Sequence, residues 1–254
     1  MKTLALARTH TKIAGRQKAL WFTVIPLAGL ATLLALTSAA RPGTGDVEDL
    51  AFAAKMIAIF SGIAYAAAFA GFFTTASSLG MQELEASSPV SPLALRSARV
   101  IGAFTVVITP AAIVLLAMGV AQTLNGYPWS IPAALAVLVT IVAPAALIAM
   151  SISGVAGALL PRAFGRIVAA LLWFYLVFST PLIPLPTING TPFNVIGDTI
   201  GAGYFHTSPL YLPSGPLGTE GTLLTATLSL AWQLVLVLIL LALGTWLAGR
   251  AQKR

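Results

Sequence analysis

Apolar residues fall along this chain in six long blocks, separated by polar, proline-rich or glycine-rich connections. A helix that crosses the hydrocarbon core of a bilayer needs about 20 mostly apolar residues. The blocks cover roughly residues 20–39, 50–79, 100–124, 131–160, 167–185 and 223–248. The second is longer than the minimum, which a tilt or an extension beyond the hydrocarbon accommodates. The pattern predicts an all-α integral membrane protein with six transmembrane helices in a single domain, 1–254. A basic lead-in covers 1–19, the first five spans and their connections 20–185, a long loop 186–221, the sixth span 222–248, and a basic tail 249–254.

Composition points the same way. Of 254 residues, 58% are hydrophobic and only 8% charged, and the mean hydropathy is +0.93. A soluble domain keeps about 25% charged residues to wet its surface. The chain has no cysteine, which excludes disulfides, thiol nucleophiles, cysteine zinc sites and Cys-ligated iron–sulfur clusters.

The formal net charge is +7, from 14 basic and 7 acidic residues. Their positions at span ends favour a role in orientation and contact with anionic lipid, and no nucleic-acid partner is expected. Lys2, Arg8, Lys12, Arg16, Lys18, Arg96, Arg99, Arg162, Arg166, Arg250, Lys253 and Arg254 fall on one side, and only Arg41 and Lys55 on the other. The second side also carries Asp46, Glu48, Asp49, Asp198 and Glu220, with Tyr127 and Trp129 at interfacial depth. The positive-inside rule then places both termini in the cytoplasm of a multi-pass protein of the cell (inner) membrane.

Within the lead-in, Leu6, Ile13 and Leu20 lie on one side of a helical wheel and Arg8, Lys12 and Arg16 on another. This predicts a moderately amphipathic helix along the interface, with a solvated basic segment as the alternative. Ser38-Ala39-Ala40 resembles a signal cleavage site, but the preceding apolar run exceeds the usual 7–15 residues, and it is read as the first span.

The chain offers little acid–base equipment. His10 and His206 are its two histidines, and no span supplies a histidine base for Ser151 or Ser153. Ser153 and Gly157, four apart, read as a close-packing pair. No carboxylate is expected near a membrane centre, and no metal site is supported. Lys55, near the end of the second span, is expected to snorkel to the interface. Gln233, mid-way along the last span, should face another helix or a cavity, as packing glue or a pathway contact. Gly62, Ala66, Ala70 and Thr74 form an i, i+4 ridge on which a helix of the same chain or of a second subunit can pack.

The connection between spans two and three is the most informative stretch. Ser91-Pro92 reads as an N-cap and first helical residue, opening the helix that becomes the third span. Residues 80–88 can form a short acidic helix, ended by Pro89. On physics alone such a segment is either a handle for a cytoplasmic partner or a solvated loop.

The run Gly80-Met-Gln-Glu83-Leu84-Glu85-Ala-Ser-Ser-Pro89-Val90-Ser91 resembles the Gly-Thr-Leu-Glu…Pro-Val-Ser signature of type-two ATP-binding-cassette permeases. That family includes exporters of drugs, antimicrobial peptides and polysaccharides. Glu85 stands where the family is usually apolar, and residues 75–79 lack the acidic residues often found there. The resemblance implies a dimer of permeases, each coupled to a separate cytoplasmic ATPase through the short helix, with Gly80, Glu83, Leu84, Glu85 and Pro89 as coupling residues. It also implies a partly re-entrant last external loop, with Pro192, Phe193, Ile196 and Phe205 in its cap. The chain has no Gly-x-x-x-x-Gly-Lys-[Ser/Thr] motif, so ATP and magnesium are expected on the partner and no cofactor on this chain. A drug, hydrophobic peptide or lipid-like cargo is expected. The alternatives are a self-contained secondary transporter or channel, an intramembrane enzyme, and a non-transporting anchor.

Overall fold

The computed structural model describes residues 2–16, 18–70, 92–180 and 186–251. Among them lie eight helices and no strand. They are α1 (Lys2–Gly15), α2 (Lys18–Thr37), α3 (Val47–Ala68), α4 (Pro92–Leu124), α5 (Ser130–Leu159), α6 (Arg162–Phe178), α7 (Asp198–Phe205) and α8 (Leu223–Ala251). Four of them, α3, α4, α5 and α8, are long and apolar enough to cross a membrane, and α2 is a shorter apolar helix.

How these helices distribute polarity shows the solvent they are built for. Along α8 the buried stripe runs through Ala226, Ser229, Gln233, Val237 and Ala248, while Leu228, Leu234, Leu238, Ile239 and Leu243 face outward. A water-soluble helix does the reverse. Polar groups turned inward and leucines outward mark a helix surrounded by lipid, and the protein is membrane-embedded.

Helix α3 forms the centre. Asp46 caps it by accepting from the Glu48 N–H. Most of its residues are buried, against α2, α5 and α6. Small residues permit this. A Cβ on Gly62 would lie 2.3 Å from the Trp173 indole of α6, and one on Gly157 of α5 would lie 1.4 Å from the Ala70 carbonyl oxygen. The ridge beginning at Gly62 therefore packs against helices of the same chain at Gly62 and Ala70; Ala66 is fully buried, and Thr74 lies outside the described residues. Trp173 also donates from Nε1 to the Ile59 carbonyl at 3.1 Å.

Proline sets two local features. Helix α4 begins at Pro92, the first-turn position where a missing N–H costs nothing. In α5 the turn Leu138–Val142 widens to π geometry just before Pro144, and the Ala143 N–H reaches back to the Leu138 carbonyl. A proline ring excludes the carbonyl four residues earlier, and an extra residue in the turn relieves that conflict.

Two expected boundaries move. The second apolar block was expected over 50–79, but α3 spans Val47–Ala68 and is capped at Phe69. The fifth apolar block was expected over 167–185, but α6 spans Arg162–Phe178. It starts directly after Pro161 and stops short of Pro181, whose ring disfavours helix at the preceding residue. Helix α1 exists, but its buried side carries Ala7 and Ala14 rather than Ile13, which is 52% exposed. Small residues face α4 because the approach is close: a Cβ on Gly102 would lie 2.6 Å from His10 Cβ and 2.8 Å from the Ala7 carbonyl oxygen.

Candidate functional site

Between α6 and α8, the loop of residues 186–222 folds inward against the helices. Lys55 lies eight residues into α3, about 12 Å along its axis, and Gln233 ten residues into α8, about 15 Å along it. Both side chains bond to this loop. Irregular backbone buried among helices must have its carbonyls satisfied by protein. Side chains supply the donors. Thr191 Oγ1 donates to Ile188 O at 2.7 Å, Ser214 Oγ to Asn189 O at 2.9 Å, and Asn194 Nδ2 to Thr191 O at 2.9 Å. From α8, Trp232 Nε1 donates to Phe193 O at 3.2 Å and Gln233 Nε2 to Asn194 O at 2.9 Å. Asn189 Nδ2 holds the end of α6 by donating to Val177 O and Ser179 O, at 2.9 and 2.8 Å.

At the centre of the loop is a charged knot. Lys55 Nζ lies 3.0 Å from Asp198 Oδ1 and donates to Ser208 O at 2.8 Å. The two side chains are 0% and 3% exposed. Asp198 opens α7, and its carboxylate accepts the N–H groups of Leu210 and Tyr211, the latter at 3.0 Å. Its own N–H donates to Asn194 Oδ1 at 2.9 Å. An unpaired charge at this position would be strongly destabilising, and the lysine and backbone donors compensate it. Glycine makes the approach feasible: a Cβ on Gly201 would come within 3.4 Å of Lys55 Cδ, and Gly203 lets α7 approach the Thr222 carbonyl at the start of α8.

Tyr211 extends the knot to α6, its hydroxyl donating to Val177 O at 2.5 Å. Burial, and secondly the Asp198 charge, raise its phenol above the usual range and keep it a donor. Beside Asp198 lies a cleft of about 420 Å³, lined among others by Thr199, His206, Thr207, Tyr211 and Glu220. His206 closes α7 in the left-handed conformation at φ 56.

The structure thus corrects the expectation that Lys55 snorkels to the interface: its ammonium is fully buried because Asp198 meets it inside the protein. The pair joins residues 143 positions apart. A lone base in one apolar block and a lone acid within Ile196-Gly197-Asp198-Thr199-Ile200 were the signals that could have found it. Of the expected cap residues, Ile196 and Phe205 are buried, and Pro192 is partly buried. Phe193 is 38% exposed and stacks edge-on against Trp232 at 5.3 Å. Gln233 is buried and bonded to the loop. Gly80, Glu83, Leu84, Glu85 and Pro89, with the short helix expected over 80–88, lie outside the described residues. Among the described residues no cluster of His, Asp and Glu is arranged to hold a metal ion.

A second carboxylate organises the turn between α2 and α3. Asp49 pairs with Arg41 at 2.7 Å and accepts the N–H groups of Gly43 and Gly45 at 2.8 and 3.1 Å. Gln122 Nε2 and the Tyr127 hydroxyl, from the α4–α5 end, donate to the Asp46 and Thr44 carbonyls of the same turn. No protein-family model matches this chain, and no curated protein matches it in sequence.

Proposed function

We propose that this protein is the permease subunit of an ATP-driven exporter of the type-two ATP-binding-cassette kind. In this reading α2, α3, α4, α5, α6 and α8 are the six spans, both termini are cytoplasmic in the cell (inner) membrane, and α1 lies along the inner interface. The 186–222 loop is then the re-entrant cap on the outer side. Two permeases enclose a pathway for a drug, hydrophobic peptide or lipid-like cargo. Separate cytoplasmic ATPases, which hold ATP and magnesium, contact Gly80, Glu83, Leu84, Glu85 and Pro89.

The observation that carries the reading is the position of α3 in the chain. This most enclosed of the long apolar helices ends at Ala68 and precedes the Gly80–Ser91 run in the chain, and towards its other end Lys55 grips the long loop. The helix that grips the loop resembling an exit cap is therefore the one that precedes, in sequence, the segment resembling an ATPase contact. Affinity purification in mild detergent, with ATP and a block on hydrolysis, tests this. A nucleotide-binding subunit should accompany the chain; its absence would end the proposal.

A second reading is a self-contained secondary transporter, and the buried Lys55–Asp198 pair favours it. Ionisable residues buried inside membrane proteins commonly mark ion or proton routes. Against it, the carboxylate and ammonium are already satisfied by each other and by three backbone groups. That arrangement suits a fastening better than a relay.

A further inference from the structure

We propose that the Lys55–Asp198 pair is a releasable latch, and that residues 187–221 form a lid which it fastens into the helix bundle. Three observations carry this. First, the lid's buried hydrophobic side chains are only four, Val195, Ile196, Ile200 and Phe205. Helix α7 approaches its neighbours through Gly201, Ala202 and Gly203, and its large buried side chains are Ile200 and Phe205. Much of the remaining attachment is hydrogen bonding by Gln233, Trp232, Tyr211, Asn189 and Tyr204.

Second, the charged knot ties three separate segments together. Lys55 belongs to α3, Asp198 to α7, and Ser208, Leu210 and Tyr211 to the segment that follows α7. Losing the ammonium therefore releases two contacts at once, and losing the carboxylate three.

Third, the knot borders a polar cleft rather than dry core. The 420 Å³ cleft includes Asp198 in its wall and exposed His206, Ser208 and Glu220 at its rim. Separating a buried ion pair into an apolar interior leaves two uncompensated charges, which is prohibitive. Separating it beside a polar cleft lets water replace the lost partner at Asp198. A fastening with a solvated open state can be undone and remade, whereas a pair sealed in hydrocarbon is a permanent staple.

In the permease reading the lid is the exit closure, and α3 is what pulls the latch; that step alone rests on the proposed function. The latch itself can be tested without a partner. Because the chain has no cysteine, single cysteines report cleanly. Ile200→Cys on the lid and Ala149→Cys within α5 both replace fully buried residues. Labelling by a water-soluble maleimide is measured on the detergent-solubilised chain with native Lys55 and Asp198, with Lys55→Met, and with Asp198→Asn. Asp198→Asn conserves volume and keeps an acceptor oxygen, so it probes the charge with little change of shape.

Both variants should raise labelling at Ile200→Cys by about tenfold or more, the scale of one lost charged hydrogen bond, and leave Ala149→Cys unchanged. An unchanged rate at Ile200→Cys would overturn the latch. So would a parallel rise at Ala149→Cys, because the pair would then hold the whole bundle. In the assembled complex, nucleotide turnover should raise Ile200→Cys labelling with native Lys55 in place. Success with the variants but no effect of nucleotide would keep the latch and refute the permease.

Discussion

Replacing Gly62 by alanine puts a methyl group where the Trp173 indole already lies. The new Cβ would sit 2.3 Å from Cε2 and Cζ2 and 2.5 Å from Nε1. Carbon atoms rest at about 3.5–4.0 Å, so the ring or the helix must withdraw by roughly 1.2 Å or more. The ring is fully buried, and its N–H bond to Ile59 is 3.1 Å long, so such a shift breaks it. Overpacking costs about 1–3 kcal/mol and the lost hydrogen bond about 1 kcal/mol. Alanine returns up to about 1 kcal/mol through its better helix propensity. The net loss is about 1–4 kcal/mol, read as a fall of several degrees in the thermal midpoint of the purified protein in detergent. Gly29→Ala is the matched control: it lies within α2 with nothing within 4 Å of its Cβ position, and should be neutral or stabilising. Adding Trp173→Phe to Gly62→Ala frees space, and the double variant should lose less than the two single losses combined. If Gly62→Ala tracks Gly29→Ala, α3 and α6 do not meet as described, and the ridge on α3 faces something else.

Other predictions follow from the loop. His206→Gly removes a non-glycine side chain from a left-handed helix cap and should stabilise by about 0.5–1 kcal/mol in the same melt. Gly190→Ala should destabilise, because at φ 76 its Cβ would meet the Leu212 carbonyl oxygen at 2.2 Å. Gln233→Leu strips the donor from Asn194 O but also removes the Oε1 atom that has no protein partner; the opposing effects leave a loss of about 1 kcal/mol, measured as a lower midpoint. On the permease reading, Glu83→Ala should lower ATPase stimulation in the assembled complex and leave membrane insertion intact. Unchanged stimulation would remove Glu83 from the coupling residues.

What could be read from the sequence was what hydrophobic length controls. The apolar blocks that became α3, α4, α5 and α8 were evident because a lipid solvent enforces long uninterrupted runs, and Pro92 marked the start of α4. The close approach at Gly157 was foreshadowed by its spacing from Ser153. The charged knot was not, because it depends on a contact across 143 residues that no periodicity encodes. Lys55 taken alone satisfies the snorkelling rule; only the fold shows that Asp198 comes to it. The π turn at Leu138–Val142 left one trace, Pro144, and a proline within an apolar run does not say whether the helix will kink, end or widen. Small residues show where helices can approach closely, but their partners, Trp173 for Gly62 and Ala70 for Gly157, come only from the packing.

On the permease proposal, this chain moves cargo only when driven by a separate ATPase. Flux in proteoliposomes tests it most directly, with the purified chain alone under an imposed ion gradient compared with the chain plus its co-purified ATPase supplied with ATP. A permease coupled to that ATPase should show no flux in the first case and ATP-dependent flux in the second. Gradient-driven flux through the chain alone would contradict it and assign the buried Lys55–Asp198 pair to an ion-coupled transporter.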